Sequence, residues 1–460
     1  MKTKIYINAM LFLCSLFLIT SCKKDFLDKK PATNLDVPTS LNDLQLLLDN
    51  TISIHESPSL GEVSADDYYM TYNSWYNEFA PYFSNSYVWA KDIFVGKGNI
   101  SDWDMPYTQV LYTNVVLQQL NGISRNGSNS ATYDNIKGSA LFMRSWMFFD
   151  LAQVYALPYD SVTFNTELGI PLRLTADINA PTTRPTIKQT YDQILSDVIQ
   201  ARTLLTNNTS PIYQNRPSKA AVFGFLSRIY LTMRNYSKAG LYADSALQLQ
   251  NTLIDYNTVD ATARLPFNST NSETVYQNLL ISADPTSYLK SSQGYSIDTL
   301  LYQSYNINDL RKVVYFAKNG IYINKKRGYS GQSLFSNGII TDELYLTRAE
   351  CFARANNTSR ALDDLNMLLV TRWKTGTYIP KANLQGTALL DTILKERRKE
   401  LVLRGLRWND IRRLNKEGYN ITLTRNLNGT TYTLPPNDPR YALPIPPDVI
   451  TLSGIQQNDR

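Results

Sequence analysis

Residues 223–250 read FGFLSRIYLTMRNYSKAGLYADSALQLQ, and this stretch has the pattern of two closely packed helices. Large and small residues alternate along it at helical spacing, at Phe223, Leu226, Tyr230, Ala239, Ala243 and Ala246. Two helices approach closely only where small side chains meet at the crossing. The pattern predicts a helix pair of the tetratricopeptide type. Any alanine-bearing helical hairpin would show the same spacing, so this simpler alternative stays open.

A second segment, residues 345–368, repeats the same arrangement. Its large and small positions are Tyr345, Ala349, Phe352, Ala361, Leu365 and Leu368. The two repeats are far apart in the sequence, so a long insertion must separate them. Further helical periodicity is found in residues 102–120, 135–155 and 190–205. The segment 135–155 is apolar around most of its circumference, which predicts a deeply buried helix.

These helices define the predicted organisation of the chain. We predict one mostly α domain over residues 41–460, built as a tetratricopeptide-like scaffold with large irregular insertions and a few short strands. The helical repeats are expected at residues 102–156, 190–250, 342–370 and 391–415. The insertions, approximately residues 50–100 and 252–341, are rich in Tyr, Ser and Asn. Binding residues commonly lie on such loops.

The N-terminus has the pattern of a lipoprotein signal. Residues 1–22 read MKTKIYINAMLFLCSLFLITSC, with lysines first, an apolar stretch next and small residues before the cysteine. We expect residues 1–21 to be a signal peptide and Cys22 to be a lipid anchor. Acyl chains on this cysteine would hold the protein at a membrane. Residues 22–40 would then form a polar tether.

Composition argues against several classes of function. The chain has one histidine and three cysteines, so zinc sites and nucleophilic sites that need several such residues are disfavoured. His55 lies in a polar stretch and is expected to be an exposed loop residue. The formal net charge of +6 is spread without a basic run, which argues against nucleic-acid binding. Phosphate-binding and dinucleotide-binding glycine motifs are not found in the sequence.

The segment LKERRKELVLRGLRWNDIRRL, residues 394–414, is rich in charge. Glu400 and Arg404 are four residues apart in the order that favours a helical ion pair. Gly405 is expected to end the helix. We interpret the cluster as buried pairing that fixes the direction of the chain, with an active-site cluster as the alternative.

In their common order, several segments resemble the SusD/RagB outer-membrane lipoproteins of Bacteroidetes. The most specific is residues 394–414, which is similar to the family's E-R-R-x-E-L-x-x-E-G-x-R-W-x-D-L-x-R motif. Arg404 departs from that motif, since the family usually has an acid there. The other segments are KKDFLDKKP, GSALFMRSWMFFDLAQVYALPY, GIPLRLTADINAPTTRPTIKQTYDQILSDVIQA, DELYLTRAECFARAN and YALPIPPDVITLSGIQQNDR. The resemblance covers almost the whole chain.

The resemblance implies a fold of about four tetratricopeptide-type helix pairs and a function at the cell surface. Proteins of this family bind glycans through aromatic loops without cleaving them. They deliver oligosaccharide to a SusC-like TonB-dependent transporter in the outer membrane, whereas RagB-type members handle peptides. No catalytic residue, metal or cofactor is therefore expected. Calcium is conceivable by the resemblance, but no loop has regular acidic spacing.

The stretch DDYYMTYNSWYNEFAPYFSNSYVW, residues 66–89, is the best candidate for the ligand-binding region. It holds ten aromatic residues among 24, interleaved with acids and amides. The face of a sugar ring stacks on an aromatic ring, by analogy with base stacking. The expected platform is Trp75, with Tyr72, Tyr76, Tyr82 and Tyr69. Weaker polar candidates are Asp67, Asn73 and Asn77, and a second region offers Tyr295 and Tyr302. Trp103 is expected to be a core residue.

Three other functions remain open at the level of sequence. A surface glycosidase would need two carboxylates, for which the candidates are Asp66, Asp67, Glu78 and Asp92. A pure interaction scaffold would hold a peptide in the groove between the repeats, although the groove positions are mostly aromatic and aliphatic. A RagB-type peptide binder cannot be distinguished from a glycan binder by sequence.

Overall fold

Helices dominate the computed structural model of the chain, which describes residues 38–50, 54–207 and 212–460. In those ranges the helices are α1 Leu41–Leu48, α2 Leu60–Ser64, α3 Tyr72–Tyr76, α4 Pro81–Tyr87, α5 Ser101–Leu120, α6 Ser130–Tyr155, α7 Ile187–Leu204, α8 Lys219–Thr232, α9 Tyr236–Leu247, α10 Asp284–Tyr288, α11 Thr299–Gln303, α12 Arg311–Val314, α13 Thr341–Arg354, α14 Thr358–Val370, α15 Gly386–Glu400, α16 Arg407–Asn415 and α17 Pro447–Ser453. The predicted fold class is confirmed: the fold is mostly helical, with irregular insertions and short strands.

The strands are short and form two-stranded pairs. They are β1 Glu56–Ser57, β2 Tyr68–Met70, β3 Thr274–Tyr276, β4 Leu279–Leu280, β5 Tyr295–Ile297, β6 Phe316–Asn319, β7 Tyr322–Lys325, β8 Ile339–Ile340, β9 Leu423–Leu427 and β10 Thr430–Leu434. β6–β7 and β9–β10 are antiparallel hairpins, and β3 pairs antiparallel with β8. Most strands lie within the insertions, and the β9–β10 hairpin follows α16.

The centre of the scaffold is α6, which packs between α5 and α7. Every residue of α6 from 138 to 155 is buried, as its apolar circumference predicted. Arg144 of α6 donates to Asn114 of α5 at 2.9 Å and to Asp197 of α7 at 2.7 Å. This buried pairing fixes the three helices in one register.

The two repeats recognised in the sequence stack on each other in space. α8 packs on α9, α9 packs on α13, and α13 packs on α14 and α15. A Cβ atom at Gly240 would lie 2.9 Å from Cβ of Cys351, so α9 and α13 approach closely at that point. The buried alanines 239, 243, 349 and 361 line the same contacts. The long insertion therefore leaves the helical stack continuous.

The two insertions are joined by strand pairing. β1 pairs with β4 in parallel, and β2 pairs with β5 antiparallel, with Met70 opposite Tyr295. Each pair takes one strand from the first insertion and one from the second. The aromatic-rich stretch and the second candidate region therefore lie side by side. Residues from Ser40 to Arg460 form one compact unit.

The end of α15 differs from the expectation. The predicted pair between Glu400 and Arg404 is wrong, because α15 ends at Glu400 and a turn follows, with Leu403 and Gly405 at φ 58° and 71°. Arg404 instead pairs with Asp342 at 2.8 Å. Gly405 was expected to end the helix. The helix ends at Glu400, and Gly405 lies in the turn that follows. The charged cluster itself is buried, as predicted.

His55 is buried rather than exposed, so the expectation of an exposed loop residue is wrong. Its ring lies 2.9 Å from the carbonyl of Leu48 and 3.3 Å from the hydroxyl of Tyr276. Burial lowers the pKa of His55 to about 4. The neighbouring residues in the sequence are polar and gave no sign that this segment is buried. His55 directly precedes β1, which pairs in parallel with β4. Trp103 is buried, as expected.

The predicted signal peptide, residues 1–21, and the lipid anchor Cys22 lie outside the described residues and remain predictions. Within the part of the chain that the structure describes, no helix has both the length and the apolar character needed to cross a membrane.

Candidate ligand-binding site

The aromatic side chains of α3 form a partly exposed surface, which we call the aromatic platform: Tyr72, Trp75 and Tyr76. Tyr72 and Tyr76 are 40% and 69% exposed. Their rings stack with 5.7 Å between centroids and 29° between planes, and the Tyr72 and Trp75 centroids are 6.0 Å apart. Large aromatic rings seldom remain this exposed unless a surface contact covers them. The platform is therefore the first candidate for ligand binding.

Trp75 is the platform residue that anchors the other two rings to the protein. It is half-buried, and its indole Nε1–H donates to the carbonyl of Ser84 at 2.9 Å. The Ser84 hydroxyl donates in return to the carbonyl of Trp75 at 2.9 Å. The ring of Tyr432, from the hairpin β9–β10, lies 6.0 Å from the Trp75 ring. These contacts orient the rings before any ligand arrives, which reduces the entropy lost on binding.

A glycine brings the second insertion against α3. The amide of Thr71 donates to the carbonyl of Gly294 at 2.8 Å. Gly294 has φ +83°, and a Cβ atom there would lie 2.2 Å from Oγ of Ser74. Only glycine allows this close approach without strain. The approach places β5 beside the platform.

Two carboxyl groups meet at this junction, Glu78 after α3 and Asp284 at the start of α10; we call them the acid pair. The Asp284 carboxylate lies close enough to Glu78 to disfavour the ionised form of Glu78. Tyr295 donates its hydroxyl to Oε2 of Glu78 at 3.3 Å, and its ring lies 5.1 Å from the ring of Tyr288. Burial and the Asp284 carboxylate raise the pKa of Glu78 to about 7. The Glu78 carboxyl therefore keeps its proton to a higher pH than an ordinary glutamate does.

The other predicted residues of the first stretch have different positions. Tyr69 is half-buried on β2, opposite Ser296. Asn73 and Asn77 are exposed on and just after α3, and the Asn77 amide donates to Oδ1 of Asn73 at 2.9 Å. Both amides lie close enough in sequence to the platform to reach the rim of a bound ligand. Their roles remain predictions.

Tyr82 does not join the platform. Its ring packs on Phe83 and Phe94, and the ammonium of Lys97 lies 4.7 Å from its centroid. Burial, with the carboxylates of Asp102, Asp284 and Glu78, raises the pKa of Tyr82 to about 12. Tyr82 therefore lies within electrostatic range of the acid pair, and we expect it to border the site from that side.

Three predicted residues are less available than expected. Asp67 is buried and ion-paired with Arg398 at 3.0 Å, so it cannot present its carboxylate to a ligand. Tyr302 packs its ring against Phe316 and has no described ring contact with the platform. Tyr295 is buried and contributes its hydroxyl to the acid pair rather than a stacking face.

The structure adds residues that sequence reasoning did not select. Phe79 is 91% exposed beside the acid pair in sequence, and Tyr288 is 37% exposed at the end of α10. Phe79 lies just after a short helix, and this position in the sequence could have indicated that its side chain is exposed. Asp284, Tyr288 and Tyr432 come from distant segments, and no local pattern links them to Trp75.

A separate cavity lies on the scaffold. It has a volume of about 300 Å³ and is lined by side chains that include Trp103, Tyr107, Ile178 and Val449. Its one lining cation, Arg173, donates to the carbonyls of Asp177 and Ala180 at 2.8 and 2.6 Å. Because these bonds occupy the guanidinium, the cavity offers mainly apolar contacts.

No group of three or more His, Cys, Asp or Glu side chains in the described ranges is arranged to hold a metal ion. The expectation that the protein uses no metal and no cofactor stays a prediction.

Glu78→Gln is expected to stabilise the protein at pH 8 by about 2 kcal/mol and to change little at pH 4. Because the folded-state pKa of Glu78 is raised, the folded chain holds this proton more tightly than the unfolded chain. Wild-type stability is therefore lost as the pH rises through about 7. Urea unfolding at both pH values measures the effect, with Asp391→Asn on α15 as control. An equal effect at both pH values would contradict the assigned environment.

Comparisons with known proteins agree with this architecture. A family model described as starch-binding, associating with the outer membrane, matches residues 25–231, and a model described as the SusD family matches residues 341–459. Together the two matches span well over half of the chain. No curated protein matches the chain by sequence.

Solved structures share the fold at low sequence identity. A SusD superfamily protein from Bacteroides thetaiotaomicron is 22% identical, with TM-score 0.74, over 92% of this chain and 100% of that chain. A SusD-like carbohydrate binding protein from Bacteroides vulgatus is 21% identical, with TM-score 0.65, over 90% and 96%. A SusD superfamily protein from Bacteroides fragilis is 22% identical, with TM-score 0.69, over 91% and 99%. These structures share the fold, and the two family matches show that the chain belongs to the SusD/RagB family.

Proposed function

We propose that this protein captures oligosaccharides at the cell surface and passes them to a SusC-like TonB-dependent transporter without cleaving them. The observation that carries the proposal is the aromatic platform, with its exposed rings Tyr72 and Tyr76. A pyranose ring presents C–H groups on its face and hydroxyls around its rim. The platform suits the face, and the exposed amides of Asn73 and Asn77 suit the rim.

The family supports a glycan as the ligand and the outer membrane as the location. One matching family model is described as starch-binding and outer-membrane associated, and the B. vulgatus relative is described as carbohydrate binding. An acyl chain on Cys22 would tether the protein at the membrane. Tethering raises the local concentration of the captured ligand beside the transporter.

The arrangement of carboxylates supports binding rather than hydrolysis. Glu78 is buried, and its carboxylate accepts from the Tyr295 hydroxyl at 3.3 Å. Asp66 and Asp67 are held by Arg407 and Arg398 at 2.6 and 3.0 Å.

Asp92, the fourth glycosidase candidate, also has its carboxylate engaged in hydrogen bonds. The Asp92 carboxylate accepts from the amides of Phe94 and Val95 at 3.1 and 2.9 Å. These bonds hold a turn of the chain rather than a reacting group. The four acids considered from the sequence therefore offer no separated acid–base pair.

Affinity electrophoresis through gels that contain different polysaccharides tests the proposal. We expect retardation on at least one glycan, weaker retardation for Trp75→Ala and Tyr76→Ala, and unchanged retardation for the control Tyr419→Ala. The thermal midpoint of Trp75→Ala is measured as well, because the indole also donates a hydrogen bond to Ser84 and its loss can change the stability of the fold. Chromatography of the glycan after incubation should show no shorter products.

Three outcomes would contradict the proposal. Shortened products from pure protein would establish a glycosidase. Binding of peptides with no retardation on any glycan would place the protein with RagB-type binders. Failure to co-purify with a TonB-dependent transporter from detergent-solubilised membranes would count against delivery.

A further inference from the structure

The turn between α10 and β5 passes beside the aromatic platform. The amide of Thr71 donates to the carbonyl of Gly294 at 2.8 Å, which continues the antiparallel β2–β5 pairing past the ends of both strands. Tyr72 and Gln293 directly adjoin this bond, one on each segment of the chain. Residues that face each other across an antiparallel pair have side chains close enough to interact. Gln293 therefore lies next to the first ring of the platform.

The β6–β7 hairpin holds this turn from the other side. The side-chain amide of Asn319 donates to the carbonyl of Ser291 at 2.9 Å, and that of Asn324 donates to the carbonyl of Ser292 at 3.1 Å. The turn is therefore fixed both by the hairpin and by the contact with α3. A side chain carried on a fixed turn loses less conformational freedom when a ligand binds than one on a free loop does.

The side-chain amide of Gln293 is presented to solvent. Gln293 is exposed, and the hydrogen bonds that hold the turn in the described part of the chain do not use its side chain. A Cβ atom at Gly320, in the tip of the hairpin, would lie 3.8 Å from Nε2 of Gln293. The next residue of the tip, Ile321, is 84% exposed. The amide thus lies between Tyr72 and an exposed aliphatic side chain, where it can reach a sugar stacked on the platform.

We infer that Gln293 is a specificity-determining residue of the platform, and that its amide binds hydroxyl groups of the sugar unit that stacks on Tyr72. A glutamine amide donates through its nitrogen and accepts through its oxygen, so it can pair with two adjacent hydroxyls of one ring. A change in the configuration of either hydroxyl, or a substituent on it, would break this pairing.

The same residues indicate the class of ligand. Tyr72, Gln293 and Ile321 carry no charge, so a charged group placed among them would lose water without gaining an ionic partner. The ligand class is therefore a neutral glycan with free hydroxyls on the stacked unit. The inference rests on the proposed function and narrows its substrate class.

Isothermal titration of the full chain with maltohexaose, cellohexaose, mannohexaose and xylohexaose tests the inference. The variant Gln293→Met keeps the length of the side chain and removes both hydrogen-bonding groups. We expect it to bind the preferred hexasaccharide about fivefold more weakly than the wild type and to discriminate less among the four. The matched control Gln118→Met changes an exposed glutamine of α5 and should keep the affinity and the order of preference. Both variants should have the thermal midpoint of the wild type.

A double-mutant cycle with Tyr72→Ala tests whether both side chains act on the same sugar. Without the stack, the sugar no longer presents its hydroxyls to the amide of Gln293. The variant Tyr72→Ala/Gln293→Met should therefore bind the preferred hexasaccharide within about twofold of Tyr72→Ala alone.

The other outcomes overturn the inference and separate it from the proposed function. Unchanged affinity and selectivity in Gln293→Met, or additive losses in the cycle, would remove the role of Gln293 and leave glycan capture standing. Binding of none of the four hexasaccharides, while polysaccharide gels still retard the protein, would remove the neutral ligand class alone. The absence of retardation on any glycan would overturn the proposed function and this inference together.

Discussion

Replacing Glu400 by alanine is expected to lower the free energy of unfolding by about 3–5 kcal/mol. Glu400 is fully buried at the end of α15, between two arginines that are also fully buried. Its Oε1 accepts from Arg372 at 2.7 Å, and its Oε2 accepts from Arg311 at 2.8 Å. Without the carboxylate, each of the two buried guanidinium groups would lose a charge-assisted hydrogen bond in the interior.

The other ion pairs of the two arginines do not replace the lost carboxylate of Glu400. Arg311 also pairs with Asp309 at 2.7 Å, and Arg372 with Glu273 at 2.8 Å. Arg311 has a further partner in Glu396 at 2.5 Å, whereas Arg372 would be left with Glu273 among the acids described. The network joins α15 to the second insertion, so its loss should also loosen the segment that carries β5.

Urea unfolding followed by circular dichroism measures the change. The matched control is Asp391→Ala, an exposed acid on the same helix, which should shift the midpoint little. Glu400→Gln should destabilise less than Glu400→Ala, because it preserves shape and some hydrogen bonds. A loss below about 1 kcal/mol for Glu400→Ala would mean that the network does not stabilise the fold as described.

Replacing both Tyr72 and Tyr76 by alanine is expected to weaken glycan binding about a hundredfold. Each exposed ring can stack on one sugar, and stacking contributes roughly 1–3 kcal/mol per ring by analogy with bases on aromatic side chains. Two rings together therefore account for at least two to three kcal/mol, or on the order of a hundredfold in affinity. Because both side chains are largely exposed, the fold should be little affected.

The measurement is isothermal titration with an oligosaccharide from the retained glycan. Tyr419→Ala, an exposed tyrosine outside the site, serves as control and should bind as the wild type does. The thermal midpoint of the double variant should match that of the wild type. Undiminished affinity in the double variant would remove the platform as the binding surface.

Much of the scaffold was predictable because its signals are local. The apolar circumference of α6 and the alanines of α8, α9, α13 and α14 follow from residues within one or two turns of each other. The stacking of α9 on α13 was harder to predict, because nothing in residues 252–341 indicates that the chain returns to the same helices after the insertion. The error at Glu400 and Arg404 has the same origin: a four-residue spacing predicts a pair only while the helix continues.

The candidate site was predictable only in part. The density of aromatic residues in 66–89 identified the stretch, because no helix or strand period could bury all ten rings. It could not separate the exposed Tyr76 from the buried Tyr87, since exposure depends on partners from other segments. Asp67 illustrates the limit: its partner Arg398 lies on α15, far along the sequence. The acid pair brings together residues from the two insertions, which sequence spacing does not encode.

Hydroxyl-radical footprinting with mass spectrometry, with and without the retained glycan, shows whether a bound glycan covers the aromatic platform. We expect the glycan to reduce oxidation of Tyr72, Trp75 and Tyr76, with Phe79 and Tyr288 protected to a smaller degree. Oxidation of Tyr419 should not change. Protection confined to the cavity around Trp103 and Tyr107, with the aromatic platform still oxidised, would contradict this expectation.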